Sequence, residues 1–179
     1  MSSRRSISVP ALVILTGLLS CIWAPFEHSA QAQPQLEAPQ NNVILAISGK
    51  VAQTNTPDSA SFDRSMLEGL GTTTLRTSTP WTDGIQEFRG VLVRDVLERA
   101  GAEGQVVRAI AHNDYIIDIP AGEFRDYPVL LALEMNGAKL ELKDKGPIWI
   151  VYPLDQFEAL QDRATERKMV WQLKELQVR

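Results

Sequence analysis

Arg76, Trp81, His112 and Lys145 are the residues of this chain whose types and neighbours could do chemistry. Arg76 carries a planar guanidinium fork that fits a phosphate or a carboxylate. As a strand arginine paired with a nearby acid it would do neither. Trp81, a little further on, offers an indole face that could wall a ligand, or that could simply pin its own loop to the body. His112 carries an imidazole, the side chain best suited to proton transfer, and its neighbours Asn113, Asp114 and Tyr115 can all hydrogen-bond. The same His-Asn-Asp run also reads as an ordinary turn between two strands. Lys145 beside Gly146 could approach an anion or sit in an exposed turn. No Gly-x-Ser-x-Gly elbow is present, and no nucleophile stands at a recognisable spacing from His112. One cysteine and two histidines exclude a cysteine zinc site, an iron–sulfur cluster and a disulfide framework.

The elements that must position these groups follow a leader. Arg4 and Arg5 open a positive n-region, an apolar run extends from Val9 to Leu19, and Ala30-Gln31-Ala32 supplies small residues at a signal-peptidase site. The expected cleavage follows Ala32, which makes the protein periplasmic or secreted. A lipoprotein acylated at Cys21 in Leu18-Leu19-Ser20-Cys21 is the rival. Pro10 and Gly17 interrupt the run, so no transmembrane segment is expected after leader removal. Cleavage would also remove Cys21 and His28, leaving no thiol and His112 alone.

The whole chain is 44% hydrophobic and 22% charged, with a formal net charge of -4. That is a globular composition without the basic block a nucleic-acid partner requires. Residues 33–42 read as a solvated tether. Beyond them the pattern predicts one mixed-sheet α+β domain. Strands are expected at Val43 to Val51, Thr72 to Thr79, Val106 to Ala111, Tyr115 to Ile119, Pro147 to Tyr152 and Met169 to Val178. Ser61 is expected to cap a helix with Phe62, Met66, Leu67 and Leu70 on one face, stopped by Gly71. Pro80 to Gly90 reads as a long polar loop in which Asp83-Gly84 makes a turn. A helical stripe runs from Val91 to Ala100, and one helical turn fits Pro120 to Tyr127. Asn136-Gly137 is a strong hairpin signal joining Val129 to Met135 and Ala138 to Lys143. A short helix is expected around Gln156 to Thr165, and the charged run from Asp162 to Lys168 is expected to face solvent.

Several stretches occur in an order that resembles a known family: Gly90-Val91-Leu92-Val93-Arg94-Asp95-Val96-Leu97, Asn113-Asp114-Tyr115, Leu130 to Gly137, Gly146 to Pro153, and the closing Trp171 to Val178. Together they resemble the molybdopterin-binding domain of the sulfite-oxidase-like oxidoreductases, over most of residues 43–179. Thr79 to Gly84, Thr-Pro-Trp-Thr-Asp-Gly, is similar to a segment of its short exported members. The resemblance implies a mixed α+β domain around a molybdenum–pterin cofactor, the metal held by a cysteine that follows an arginine and precedes a tryptophan. Here that stretch is Arg76-Thr77-Ser78-Thr79-Pro80-Trp81, so Thr77 stands where the thiolate should be. A threonine hydroxyl is a hard, weakly acidic donor and a poor substitute for a soft thiolate.

The expectation is therefore a domain without bound cofactor that acts as a ligand- or partner-binding module. Its ligand set would come from Arg76, Thr77, Thr79, Trp81, His112, Asn113 and Tyr115, with no metal. Its partner would be a small or anionic molecule, or a membrane-bound protein. The alternative is a true molybdopterin oxidoreductase that holds its cofactor through pterin and phosphate contacts alone.

Overall fold

The computed structural model describes residues 35–179, so the expected leader, its cleavage point and Cys21 lie outside the described residues. Among the described residues, ten strands divide between two five-stranded sheets of one small α+β domain. The first contains β1 (Val43–Gly49), β2 (Ser59–Asp63), β5 (Val106–Ala111), β6 (Ile116–Pro120) and β10 (Leu173–Val178), in the order β2-β1-β10-β5-β6. The second contains β3 (Thr73–Thr77), β4 (Gln86–Leu92), β7 (Leu130–Met135) and β8 (Ala138–Lys139), with β9 (Trp149–Val151) also paired to β7. Four short α-helices complete the fold: α1 (Arg64–Gly69), α2 (Val93–Arg99), α3 (Glu123–Asp126) and α4 (Arg163–Lys168).

Side-chain alternation explains the first sheet. Leu45 and Ile47 of β1, Val107, Ala109 and Ala111 of β5, and Leu176 and Val178 of β10 all point into the core, and a register shift in β10 brings Leu173 to the same face. The opposite face is wet and carries charge, as where the half-buried Arg108 guanidinium clasps the exposed Asp118 at 2.8 Å. β1 and β10 run parallel, with Ala46 opposite Glu175, and the other pairs are antiparallel. The second sheet is antiparallel throughout. Its Leu130–Leu133 and Trp149–Val151 runs are buried without alternation, because both faces of these strands are covered. Gly90 lies in β4 where its backbone passes close against the Leu131 carbonyl of β7, and any Cβ would collide there.

Three expectations are corrected. Ser61 and Phe62 belong to β2, not to a helix, because Leu45 pairs with Phe62 and Ile47 with Ala60 across the ladder to β1. The helix cap is Asp63, whose carboxylate accepts from the Met66 amide at 2.9 Å. The expected loop from Pro80 to Gly90 ends early: β4 begins at Gln86, its polar residues facing out while Phe88 and Gly90 face in. The second hairpin arm pairs only over Ala138–Lys139, after the turn at Asn136 (φ 52°) and Gly137 (φ 76°). Residues 35–42 are mostly exposed but make contact with the domain. Leu36 is buried, and the amides of Gln40 and Asn41 donate to Asp63 at 3.0 and 2.9 Å.

Candidate functional site

The β3–β4 hairpin carries the residues singled out around Trp81. Thr77 ends β3 fully buried. Its hydroxyl donates to the Ser78 carbonyl at 3.2 Å and accepts from the Asp155 amide at 3.3 Å. The Asp155 carboxylate in turn accepts from the Ser78 amide at 2.7 Å and the Ser78 hydroxyl at 2.6 Å. Thr79 organises the turn that follows. Its hydroxyl lies 2.9 Å from that of Thr82 and accepts from the Trp81 amide at 3.2 Å. Gly84, at φ 63°, closes the turn, and Gln86 begins β4.

This geometry aims the Trp81 ring at two other tryptophans. Its centroid is 5.2 Å from that of Trp171 at 75° and 6.2 Å from that of Trp149 at 64°. Trp149 is fully buried, donates its indole N–H to the Met169 carbonyl at 3.1 Å and meets Phe88 edge to face. An aromatic ladder thus climbs from the core to the surface, each rung in the edge-to-face arrangement that ring quadrupoles favour. Lys145 is half-buried rather than an exposed turn lysine, with its ammonium 5.4 and 5.7 Å from the Trp149 and Trp171 rings.

The β5–β6 turn arrives at the same end of the molecule. Asp114 adopts φ 64°, and Asn113 accepts from the Tyr115 amide at 3.1 Å, as expected for turn chemistry. Tyr115 donates its hydroxyl to the Arg167 carbonyl at 3.0 Å. Trp81, Asn113 and Tyr115 thereby come together with Glu166, Arg167, Met169 and Trp171 around a cavity of about 290 Å³. Asp162 fixes α4 alongside it by capping the helix. The Thr165 amide, 2.6 Å away, holds that carboxyl below its ordinary value.

The charged run ending at Lys168 does not simply face solvent. Lys168 binds both oxygens of Glu123, at 2.7 and 2.9 Å, and the buried Tyr152 hydroxyl donates to the same carboxylate at 2.8 Å. Burial first, and then the Glu123 charge, push the Tyr152 phenol far above its usual range.

Four expected site residues do not line the groove: Thr77 and Thr79 are buried in the β3–β4 hairpin, and His112 and Arg76 lie apart from it. His112 is exposed on the turn, its amide held by the Gln172 carbonyl at 2.8 Å, and its ring lines neither cleft described here. Arg76 is exposed on β3 opposite Glu87. Trp171, Glu166 and Asp155 were missed. Only their neighbourhood in space marks them, since in sequence they read as the start of a strand, a charged run and a loop.

A second cleft, of about 390 Å³, borders the Ser78–Pro80 backbone and includes Asp155, Gln161 and Glu166. The model of the oxidoreductase molybdopterin binding domain matches residues 37–157. The chain belongs to that family. No curated protein matches it at a significant level. The matched stretch runs from before β1 to beyond β9, whereas α4 and β10 lie outside it, although β10 sits at the centre of the first sheet.

The side chains at position 77 and in the adjoining cleft do not fit the family's cofactor. The Thr77 oxygen is hard, buried and already committed to two backbone partners. The cleft beside it includes Asp155 and Glu166 and, among the described residues, no cationic side chain, where a pterin phosphate needs charge-assisted donors. Among the described residues, no cluster of three or more His, Cys, Asp or Glu side chains could hold a metal ion. Among the same residues, no helix is long and apolar enough to cross a membrane.

Proposed function

We propose that this chain is an exported, sulfite-oxidase-like member of the family that carries no molybdenum and works as a binding module. The observation behind this reading is the state of Thr77. Where the family places a thiolate, the side chain serves the fold, tying the end of β3 to the loop that carries Asp155. The binding face is the aromatic groove, where two loops and α4 converge on an accessible cavity. Export rests on the leader pattern ending at Ala30-Gln31-Ala32.

The test is elemental and pterin analysis of the exported protein, made in a host that supplies the molybdenum cofactor. The expected result is neither molybdenum nor pterin above background. Stoichiometric molybdenum would overturn the proposal and identify an oxidoreductase that holds its cofactor without a cysteine. Terminal sequencing of the same sample tests the expected start at Gln33 against a lipidated Cys21.

A further inference from the structure

We propose that the groove between Trp81, Tyr115 and Trp171 binds a small organic cation of the quaternary-ammonium class, with Glu166 as its counter-ion. The proposal rests on the reading of the chain as a binding module and names the ligand class of that module.

The walls are aromatic and accessible. Trp81 is 38% and Tyr115 41% exposed, large values for side chains that each pack against the body. Tyr115 is anchored through its hydroxyl, and Trp81 and Trp171 meet at 75°, so the walls are held rather than free to collapse. Ring faces attract cations through their quadrupole, and quaternary ammonium groups, poorly hydrated and without N–H donors, gain most from such walls. The same ring cluster already accepts one ammonium, that of Lys145, over Trp149 and Trp171.

Charge decides among ligands. Glu166 is half-buried at the groove, and its carboxylate makes no hydrogen bond or ion pair within the described residues. A neutral apolar ligand would cover that carboxylate and leave it unsatisfied, and an anion would be repelled by it. Arg167 also borders the groove, but it is exposed, so water screens its charge more than that of Glu166. A cavity of about 290 Å³ is at the small end for ligand sites, suited to a head group rather than to a large cofactor.

The experiment uses the exported protein and choline as the probe. Its comparison is the neutral carbon isostere of choline, which has a tert-butyl group in place of trimethylammonium. Proton NMR titration should show saturable upfield shifts of the choline N-methyl signal at about millimolar affinity. The isostere should bind about tenfold more weakly. Glu166→Gln should weaken choline about threefold to fivefold, leaving it tighter than the isostere, and Trp81→Ala should weaken it about fivefold. Trp81→Phe keeps a ring in place and should retain most of the binding, which separates loss of the wall from loss of the loop. Absence of choline binding, equal binding of the isostere, or indifference to Glu166→Gln would each overturn the assignment. Metal analysis of the same sample keeps the two proposals apart. A molybdenum-free protein that ignores choline refutes this one alone, and a molybdenum-loaded protein refutes the binding-module reading.

Discussion

Replacing Thr77 by valine tests whether this side chain has become structural. The change is nearly isosteric and removes only the hydroxyl. It deletes the bond to the Ser78 carbonyl at 3.2 Å and the bond from the Asp155 amide at 3.3 Å. Both are long, against about 2.7–2.8 Å for a hydroxyl donor and about 2.9–3.0 Å for a backbone amide, so each falls in the lower part of the range of about 0.5–1.5 kcal/mol. The site is buried at Thr77, but Asp155 is exposed, so water can partly satisfy the freed amide. The sum is a loss of about 1–2 kcal/mol. For a domain of this size that lowers Tm by about 3–8 °C. Differential scanning calorimetry at neutral pH measures it, with Thr77→Ser as the control that keeps the hydroxyl and loses only a methyl group. A valine variant that melts within about 1 °C of the parent would show that the two bonds contribute nothing. The argument that position 77 has been committed to the fold would then fail.

Thr77→Cys should gain neither molybdenum nor pterin in a cofactor-supplying host, because the adjoining cleft includes Asp155 and Glu166 and, among the described residues, no cationic side chain; near-stoichiometric loading of the variant would refute this. Asp63 is held far below the ordinary carboxylate value, mainly by the Ser65 hydroxyl and then the Met66 amide, against a burial that pushes it up. A lowered folded value means that Asp63 stabilises the protein above about pH 4 and that the contribution fades as the pH falls further. Asp63→Asn should therefore cost about 2–4 kcal/mol in urea unfolding at pH 7, with a smaller difference from the parent near pH 3. Gly90→Ala should cost on the order of 4 kcal/mol or prevent folding, since its Cβ meets the Leu131 backbone, and soluble yield with circular dichroism reports it.

Much of the fold was legible where one physical signal dominated. The alternation of Val43 to Gly49 and of Val106 to Ala111, and the Asn136-Gly137 turn, each forced one local answer. Phe62 was misread because its spacing to Met66 and Leu70 satisfies a helical face equally well. What places it in a strand is the ladder to β1, a contact that local pattern does not encode. Gln86 to Gly90 was misread because a strand with one wet face and a glycine at its point of closest approach looks like a polar loop.

The candidate site divides in the same way. Trp81, Asn113 and Tyr115 could be named from residue type and turn context, and they do meet. Their partners Glu166 and Trp171 come from the other end of the chain, and no spacing in the sequence announces that they face the same cavity. Arg76 and His112 were chosen for their chemistry, which says nothing about the direction a side chain takes.

The position of β10 has a consequence for how the molecule comes into being. The last strand of the chain lies between β1 and β5, so the first sheet lacks its middle until the final residues are available. A chain delivered N-terminus first, from a ribosome or through a membrane pore, cannot complete this sheet piece by piece. Its β1–β2 hairpin must wait with an open edge, hydrogen-bonding groups unsatisfied, until Leu173–Val178 arrives to run parallel to β1. Such long-range closure is slow and exposes the waiting edge to other chains. Removal of Leu173–Val178 would leave β1 and β5 without the strand that joins them, two half-sheets each with an open edge.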